Sequence, residues 1–335
     1  RDGHPWRQVA AALFDGAGSC GNGAASGGAS ADKKTIRLAY QAFPSGDLIV
    51  KNQGLLEKAL PDYQITWTKF DSGASINTAF VAKSVDIAAI GSSPVARGLS
   101  APLNIPYQVA FVLDVAGDNE ALVARNGSGV SDVAGLRGKK IGVPFASTAH
   151  YSLLAALQKA GLDAKSVKVI DSEPDAILAA WSRGDIDGAY VWNPVLAKLL
   201  ADGGKTLVTS AELAKEGKTT YDLAVVTDEF AEKYPDAVKT WVAQQDRAVK
   251  QIKSAPEEAA AAIAAELSIT PAEAKAQMDD LIFVDAATQA GDEYLGKGLP
   301  DNLFATAQFN KDVGQITTVR DEKAYTEAVD SSFVE

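Results

Sequence analysis

Two stretches of this chain share one pattern, and that pattern decides the fold: residues 76–90 read INTAFVAKSVDIAAI, and residues 177–191 read ILAAWSRGDIDGAYV. The two align without a gap, so that Ile76 corresponds to Ile177. Each copy has apolar residues at helical spacing, followed by an apolar run that is typical of a buried strand. The repeat indicates two similar α/β lobes, although chance similarity between two amphipathic helix–strand units is the alternative.

Outward from the repeat, strand and helix patterns alternate along the chain. Strands are predicted over residues 35–40, 64–70, 85–90, 105–113, 120–125, 139–145, 167–171 and 187–192. Helices are predicted over residues 47–60, 75–83, 149–160 and 175–183. This alternation predicts parallel sheets covered by helices. Ligands bind beyond the carboxyl ends of the strands in such sheets, so two facing lobes would place their strand-end turns on one cleft.

The C-terminal third is predicted to be mainly helical. Residues 257–267 are rich in alanine and have strong helix propensity. Thr270 and Glu273 have the spacing of a capping box, and Pro271 suits the first helical position. These helices are expected to be structural and are assigned no chemistry.

The overall composition narrows the function classes. The chain has 335 residues, of which 47% are hydrophobic and 22% charged, which suits one large folded domain or two modest ones. Its net charge of −11 makes it a poor candidate for binding nucleic acid, which requires a basic face. The sequence contains no run of about 18 apolar residues. Its one cysteine excludes an intrachain disulfide, and no cofactor is expected because dinucleotide fingerprints and P-loops are absent.

Residues 1–33 are predicted to form a tether, the remnant of a lipoprotein signal. Residues 20–30 read CGNGAASGGAS, a small, polar, glycine-rich run that cannot bury a core. A cysteine directly before such a run is the arrangement of a bacterial lipoprotein, so Cys20 is the expected lipidation site and the chain is expected outside the cytoplasm. The apolar run over residues 9–14 is short for such a signal, and Asp15 interrupts it. A free cysteine in a flexible tail is the alternative.

Two strand-end turns carry hydroxyl side chains. Ser147 and Thr148 fall where the N-cap of a helix should lie, and Ser92 and Ser93 follow the buried strand of the first repeat copy, with Pro94 suited to the start of a helix. Unpaired N–H groups and the dipole at a helix start favour an anion. Neutral donors of this kind fit a permanently charged, weakly basic anion such as a sulfonate, without a buried counter-charge. Plainly capped helices with no ligand are the alternative.

Two acidic residues at strand ends are candidates for the opposite charge. Glu120 begins an apolar strand, and Asp222 lies just before another one. If both reach the cleft, they would hold an ammonium group through charge-assisted hydrogen bonds. Trp192, at the end of its strand, would then cover the site. Solvated acids and a core tryptophan are the alternatives.

Catalysis has little support in the sequence. His150 is the one histidine in the segment predicted to fold, and it stands three residues after Ser147. No acid is placed to orient its imidazole, and no Gly-x-Ser-x-Gly turn is present. No spaced cluster of metal ligands is found either, so neither a catalytic residue nor a metal site is predicted.

Several short motifs together resemble one protein family. They are KFDSGASI at residues 69–76, GSSP at 91–94, NEALV at 119–123, VPF at 143–145, HYSLLAAL at 150–157 and RGDIDGAYVW at 183–192. In combination they resemble the taurine-binding periplasmic proteins of bacterial ABC importers, within the taurine, aliphatic sulfonate and nitrate group. The resemblance runs from about Ile36 to the C-terminus and is looser beyond Trp192.

The resemblance implies the α/β fold of a type II periplasmic binding protein, with two α/β lobes, a ligand cleft and two crossovers. Lobe 1 would comprise residues 34–118 and 223–335, and lobe 2 residues 119–222, with crossovers near Asp118 and Asp222. The lobes would close over the solute. The chain is then expected to be a monomer that delivers its small-molecule solute to the permease subunits of the importer.

The same resemblance implies the roles of individual residues. The sulfonate would be bound at the strand–helix turns by Ser92, Ser93, Ser147 and Thr148. Glu120 and Asp222 would hold the amine. The remaining cleft residues would be Gln41, His150, Tyr151 and Trp192. The bulky Ala42-Phe43-Pro44 segment after the first strand departs from the family pattern, which puts the pocket size in doubt.

Three alternatives to a taurine receptor stay open. One is a receptor for a plain alkanesulfonate or another small amine or oxyanion. A second is an enzyme, because the pyrimidine-forming enzymes of thiamine synthesis have the same fold; they require iron and consume a histidine of their own. The third is a sensor domain with the same clamshell shape.

Overall fold

The computed structural model describes residues 33–335. The predicted tether, apart from Lys33, and its Cys20 lie outside the described residues. Within the described residues, no helix combines the length and the apolar character that crossing a membrane requires.

Ten strands form two five-stranded sheets in the described part of the chain. The strands are β1 (Lys34–Tyr40), β2 (Tyr63–Lys69), β3 (Ile87–Gly91), β4 (Tyr107–Val115), β5 (Glu120–Ala124), β6 (Lys140–Val143), β7 (Lys168–Asp171), β8 (Gly188–Trp192), β9 (Lys205–Thr209) and β10 (Tyr221–Thr227). The first sheet has the order β2-β1-β3-β10-β4, and the second has the order β7-β6-β8-β5-β9. The two lobes therefore have the same layout.

Fifteen α-helices accompany these strands in the same residues. They are α1 (Gly46–Asn52), α2 (Leu55–Ala59), α3 (Gly73–Val81), α4 (Ser92–Leu99), α5 (Thr148–Lys159), α6 (Pro174–Arg183), α7 (Val195–Ala201), α8 (Ser210–Ala214), α9 (Asp228–Lys233), α10 (Pro235–Ser254), α11 (Pro256–Leu267), α12 (Pro271–Met278), α13 (Ala286–Gln289), α14 (Gly298–Asp312) and α15 (Glu322–Glu327).

The two copies of the sequence repeat occupy the same place in the two lobes. Helix α3 leads into β3 and helix α6 into β8, and each of these strands is the third in its sheet. Ile76 and Phe80 on α3 are buried, as are Ile177 and Trp181 on α6, because residues four apart lie on one helix face. The prediction of two similar α/β lobes is confirmed.

The prediction of parallel sheets is wrong for one strand of each sheet: four of the five strands run in one direction and the other runs against them. Strands β1, β2 and β3 are parallel, as are β6, β7 and β8. Strand β10 runs antiparallel to both of its neighbours, and so does β5. These two strands directly follow the crossings between the sheets, so each begins at the edge where the preceding strand of the other sheet ends. Reversal follows from that entry point.

The chain crosses between the sheets twice. It passes over residues 116–119, between β4 and β5, and returns over residues 210–220, between β9 and β10. Asp222 is the second residue of β10 and belongs to the first sheet. We propose that lobe 2 ends ahead of Tyr221 rather than at Asp222.

One predicted helix is two helices in the structure. The apolar pattern over residues 47–60 predicts a single helix, whereas α1 ends at Asn52 and α2 begins at Leu55. Gly54 between them has φ +59°, a left-handed conformation that glycine adopts without strain and that interrupts a helix.

The helical C-terminal third is confirmed, and it completes the first lobe. Helices α9 to α15 all follow β10; α10 packs against β4 and α1, and α14 packs against α4. Thr270 caps α12: its hydroxyl accepts the Glu273 N–H at 3.2 Å, and the Glu273 carboxylate accepts the Thr270 N–H at 2.7 Å. The predicted capping box is therefore present.

Candidate functional site

A small cavity lies where the two sheets face each other. Its empty volume is about 360 Å³, including the open mouth. Its walls are formed by Gln41, Phe43, Gly73, Gly91, Pro94, Asn119, Glu120, Ser147, Thr148, Trp192 and Asp222. These residues follow the carboxyl ends of parallel strands or begin the reversed strands β5 and β10, the edge at which α/β sheets bind ligands.

Three helix starts converge on one side of this cavity. Gly73 begins α3, Gly91 is the N-cap of α4, and Ser147 is the N-cap of α5. The Ser147 hydroxyl accepts the His150 N–H at 3.1 Å, which confirms the predicted N-cap. Free N–H groups and the dipole at these helix starts favour negative charge. This side of the cavity can therefore hold an anion without a basic side chain.

The lobes touch closely beside these helix starts. A Cβ atom on Gly91 would lie 2.5 Å from Cγ2 of Thr148, which belongs to the opposite lobe. A Cβ atom on Gly73 would lie 2.4 Å from Cγ of Pro94. Glycine is needed at both positions because real Cβ atoms do not approach other atoms so closely. The absence of two side chains brings the three helix starts together.

Glu120 also lines the cavity, beside the start of α5, and is nearly fully buried. The Thr148 hydroxyl donates to its Oε2 at 2.7 Å, and the Ser210 hydroxyl donates to its Oε1 at 2.7 Å. Burial nevertheless raises the pKa of Glu120 to about 7, although these hydrogen bonds and one from Ser152 oppose the rise. The carboxyl group is thus fixed in position and ready to charge near neutral pH.

Asp222 lines the same cavity from the first lobe. In the sheet it lies opposite Gly91 on one side and Asp114 on the other. Burial raises the pKa of Asp222 to about 6, while the neighbouring Asp114 carboxyl group opposes the rise. Asp114 is fully buried, and burial followed by the charge of Asp222 raises its pKa well above the usual range. Glu120 and Asp222 thus line the cavity, and the Asp114 carboxyl group lies close behind them.

The cavity has no basic counter-charge among its described wall residues. Acid side chains and uncharged helix starts together line an acidic pocket that favours a cation near Glu120 and Asp222. Within the described residues, no group of three or more histidine, cysteine or acidic side chains has the geometry to hold a metal ion. The arrangement can hold a small molecule that carries a positive and a negative group.

Of the ten predicted ligand residues, the structure brings six together on the cavity: Gln41, Glu120, Ser147, Thr148, Trp192 and Asp222. Gln41 is held by a hydrogen bond from its Nε2 to the Ala89 carbonyl at 3.1 Å. Trp192 lies directly opposite Glu120 in the pairing of β5 with β8. That these six bind a ligand stays a prediction.

The side chains of Ser92 and Ser93 do not line the cavity. The Ser92 hydroxyl accepts the Tyr221 N–H at 3.0 Å, and the Ser93 hydroxyl accepts from Nδ2 of Asn310 at 3.2 Å. Both hydroxyls are therefore committed to the first lobe. Gly91 and Pro94 of the same turn form the wall instead, so this turn can offer its backbone N–H groups but not its hydroxyls.

His150 and Tyr151 also point away from the cavity, contrary to the expectation that they line it. The His150 ring stacks on Phe145 with centroids 4.5 Å apart, and its Nδ1 accepts the Ala146 N–H at 3.1 Å. Burial lowers the pKa of His150 to about 4, which keeps the ring neutral. Tyr151 packs edge-on against Phe309 of the first lobe. The turn of α5 directs both side chains to other surfaces.

Sequence reasoning missed several residues that shape the site. Asn119 lines the cavity, and its Oδ1 accepts the Gly117 N–H at 2.8 Å, which holds the crossover loop. Ser210 fixes Glu120 from 90 residues away in the chain, a distance no local pattern spans. Asp114 did leave a signal, since it is an acid within an otherwise apolar strand. Phe43 lies on the wall, within the segment whose bulk put the pocket size in doubt.

Comparison with known sequences gives two informative relatives and one family. The NMT1-like family matches residues 31–268. The taurine-binding periplasmic protein of Escherichia coli strain K12 is 45% identical over 177 residues, which cover 53% of this chain and 54% of that protein. A Bacillus subtilis strain 168 protein named for binding aliphatic sulfonates is 33% identical over 257 residues, 75% of each chain. The chain thus spans about half the length of the E. coli relative.

Comparison with solved structures supports the fold. The alkanesulfonate-binding protein SsuA from Xanthomonas axonopodis pv. citri, solved bound to MOPS, superposes with a TM-score of 0.73. The match covers 88% of this chain and 97% of that one, at 20% sequence identity. At this identity the likeness establishes the periplasmic binding protein fold and not the ligand.

Proposed function

This chain belongs to the NMT1-like family, and we propose that it is the solute-binding component of an ABC importer that captures taurine, 2-aminoethanesulfonate, outside the cytoplasm. The observation that carries the proposal is one cavity whose walls combine uncharged helix starts with carboxyl groups. The taurine-binding relative and the sulfonate-binding relative support the same class of solute.

The helix-start side of the cavity would bind the sulfonate. Backbone N–H groups at the starts of α3, α4 and α5 line the cavity and would supply the donors. A sulfonate is a weak base that keeps its charge, so neutral donors suit it and no buried basic residue is required. Ser92 and Ser93 would contribute through their backbone.

The acidic side of the cavity would bind the ammonium group. Glu120 and Asp222 reach it from opposite lobes, so one cation would join the two halves of the cleft. A plain alkanesulfonate would leave these buried carboxyl groups without a partner, which is unfavourable. Gln41 and Trp192 would close the sides of the pocket.

Capture would proceed by closure of the two lobes. Several contacts bridge the lobes beside the cavity, among them the Ser72 hydroxyl donating to Oε1 of Glu173 at 2.9 Å and the packing of Tyr151 on Phe309. An open form would bind through one lobe, and the second lobe would complete the hydrogen bonds and exclude water. The closed monomer would then dock to the permease. Small-angle scattering with saturating taurine should show compaction, and unchanged dimensions would contradict closure.

We propose binding without catalysis. His150 is stacked, neutral and hydrogen-bonded to the backbone, so it is not oriented toward the cavity as a general base. Taurine recovered unchanged after incubation, by mass spectrometry, is the expected result. A converted product would overturn this part of the proposal.

Titration calorimetry with four matched solutes tests the ligand. Taurine should bind most tightly, ethanesulfonate tests the ammonium group, ethylamine tests the sulfonate, and β-alanine replaces the sulfonate with a carboxylate. We expect ethanesulfonate to bind at least about tenfold more weakly, the value of a lost hydrogen bond to a charged group. Equal affinity for taurine and ethanesulfonate would contradict the taurine assignment, and no binding of either sulfonate would contradict the sulfonate class.

A further inference from the structure

Asp114 is a buried acid for which the fold has no evident use. It lies at the end of β4, and its side chain is fully buried. Among the described residues, neither of its carboxyl oxygens has a hydrogen-bond donor. A buried polar group without a partner is unfavourable, so a carboxyl group in this state requires an explanation.

The nearest partner of Asp114 is Asp222 on the adjacent strand. The two residues lie directly opposite each other in the pairing of β4 with β10. Directly opposite side chains in a sheet have Cβ atoms about 5 Å apart, within reach of one shared proton. The register shifts between Asp222 and Leu223, which indicates a β-bulge at this point, and bulges redirect side chains beside functional sites.

The charges that act on this pair are all negative. Asp222 on β10 and Glu120 on β5 are the charged groups that raise the pKa of Asp114, and no basic side chain among the described residues lowers it. Two buried carboxylates side by side cannot both ionise at low cost, and one proton between them turns repulsion into a hydrogen bond.

We propose that Asp114 is a positioning residue of the solute site: it retains one proton, donates it to Asp222, and thereby presents a single, oriented negative charge to the ammonium group. The assignment rests on the proposed function. Asp114 holds the proton because it is fully buried, whereas Asp222 lines the cavity and can be paired with the solute. The proton gives one Asp114 oxygen a hydrogen-bond partner, because its O–H donates to the Asp222 carboxylate.

The arrangement sets the charge of the site. Three ionised carboxylates would face one ammonium group, leaving negative charge buried without compensation. A shared proton reduces the pair to one charge, so that two carboxylates rather than three accompany the ammonium group, while the sulfonate lies at the helix starts. Specificity for a singly charged amine then depends on a residue that does not touch the solute.

Infrared spectroscopy of the ligand-free wild-type protein tests the proton directly. At pH 9 in heavy water, Glu120 and Asp222 are ionised, since burial raises their pKa values only to about 7 and about 6. A carbonyl stretch of a protonated carboxylic acid should persist at this pH and disappear in Asp114→Asn. Absence of the band from the wild type would overturn the proposal, and this result does not depend on how a variant folds.

Calorimetry on two substitutions of Asp114 tests its effect on the site. Asparagine can still donate to Asp222, so Asp114→Asn should bind taurine within about threefold of the wild type and with the same pH profile. Leucine has similar bulk but no donor, so Asp114→Leu should raise the pH at which affinity is half lost by about one unit. Equal behaviour of the two variants, or a profile shifted to lower pH in Asp114→Asn, would overturn the proposal.

The two experiments separate this inference from the proposed function. If the wild type binds no taurine but the infrared band is present, the function fails and the shared proton stands. If taurine binds and the band is absent, the function stands and the role of Asp114 fails.

Discussion

The two lobes bring acids to the cavity in opposite surroundings. In the second lobe, Glu120 accepts hydrogen bonds from Thr148 and Ser210, both at 2.7 Å, and is fixed before any solute arrives. In the first lobe, Asp222 has Gly91, which has no side chain, on one side in the sheet and another acid, Asp114, on the other. One acid is organised by the protein, and the other depends on a proton and on the solute. Similar lobes therefore do not provide equivalent halves of a binding site.

The difference arises from what each lobe packs behind its acid. Both acids stand at the start of a reversed strand directly after a crossing, Glu120 on β5 and Asp222 on β10. Helices α5 and α8 carry the hydroxyl groups that reach Glu120. Next to Asp222 lies Asp114 of β4, and its carboxyl group can donate at most one hydrogen bond. The shared topology fixes where the acids lie, and the neighbouring side chains fix their charge.

The largest expected effect on taurine affinity comes from removing the charge of Asp222, the acid that accepts fewer hydrogen bonds from the protein. Asp222→Asn should weaken taurine binding by about 100-fold, because removing one partner of a buried charge pair leaves the other without compensation. Glu120→Gln should cost about tenfold, because its hydroxyl neighbours can still pair with the amide. Calorimetry measures both, with the exposed Glu257→Gln as control. Equal losses would contradict the contrast between the lobes, and unchanged affinity would remove that acid from the ammonium site.

The next largest expected effect is the change with pH in the free energy of unfolding of the ligand-free protein. Burial raises the pKa of Glu120 from 4.5 to about 7, so its protonated form favours the folded state. This contribution is complete below pH 4.5 and is lost as pH rises through 7, so ligand-free protein should lose about 2 kcal/mol of unfolding free energy from this group. Urea unfolding at pH 5 and pH 8 measures the loss, which Glu120→Gln should abolish.

Asp47 serves as the internal reference for that measurement. It is buried outside the cavity, accepts a 2.7 Å hydrogen bond from Gln245, and has its pKa raised to about 7 by burial. Asp47→Asn should remove a similar share of the pH dependence and leave taurine affinity unchanged. Asp222 and Asp114, whose pKa values burial also raises, keep part of the pH dependence in both variants. A pH dependence unchanged from the wild type in Glu120→Gln or in Asp47→Asn would contradict the assignment of that residue.

A third effect is the hydroxyl support of Glu120. Thr148→Val keeps the shape of the side chain but removes the hydrogen bond to Oε2 of Glu120, so affinity should fall by about tenfold. Thr148→Ser retains the hydroxyl and is the matched control. Identical losses in both variants would show that the methyl group, and not the hydrogen bond, matters.

The smallest expected effect on affinity comes from a contact between equivalent positions that lie just ahead of the two repeat copies. Ser72 and Glu173 are 101 residues apart, the same spacing that separates Ile76 from Ile177, and their side chains are hydrogen-bonded across the lobes. Glu173→Ala should weaken taurine binding by about two- to threefold, since a half-exposed hydrogen bond contributes about 0.5 kcal/mol. A tenfold loss would contradict this ranking, because the contact would then matter as much for affinity as the hydrogen bond between Thr148 and Glu120.

Local sequence patterns predict the lobes and the helix starts, because both depend on residues that are close together in the sequence. The repeat predicts helices α3 and α6, and the residues around Ser147 predict its N-cap, as the structure confirms. The orientation of His150 and Tyr151 could not be predicted, since the face that α5 turns to the cleft depends on its packing partners. The pairing of Asp114 with Asp222 joins strands that are distant in the chain, and only tertiary structure sets that register.

A substitution at Gly91 offers a way to control how far the two lobes close. Its backbone is ordinary, with φ −69°, so alanine would fit there except for the 2.5 Å approach to Cγ2 of Thr148. The added methyl group in Gly91→Ala would act as a wedge that props the clamshell ajar, and Thr148→Ser would remove the atom it strikes. Gly91→Ala should therefore hold the receptor in an open form, and adding Thr148→Ser should restore closure. Such a pair of open and closing variants would be useful in a biosensor.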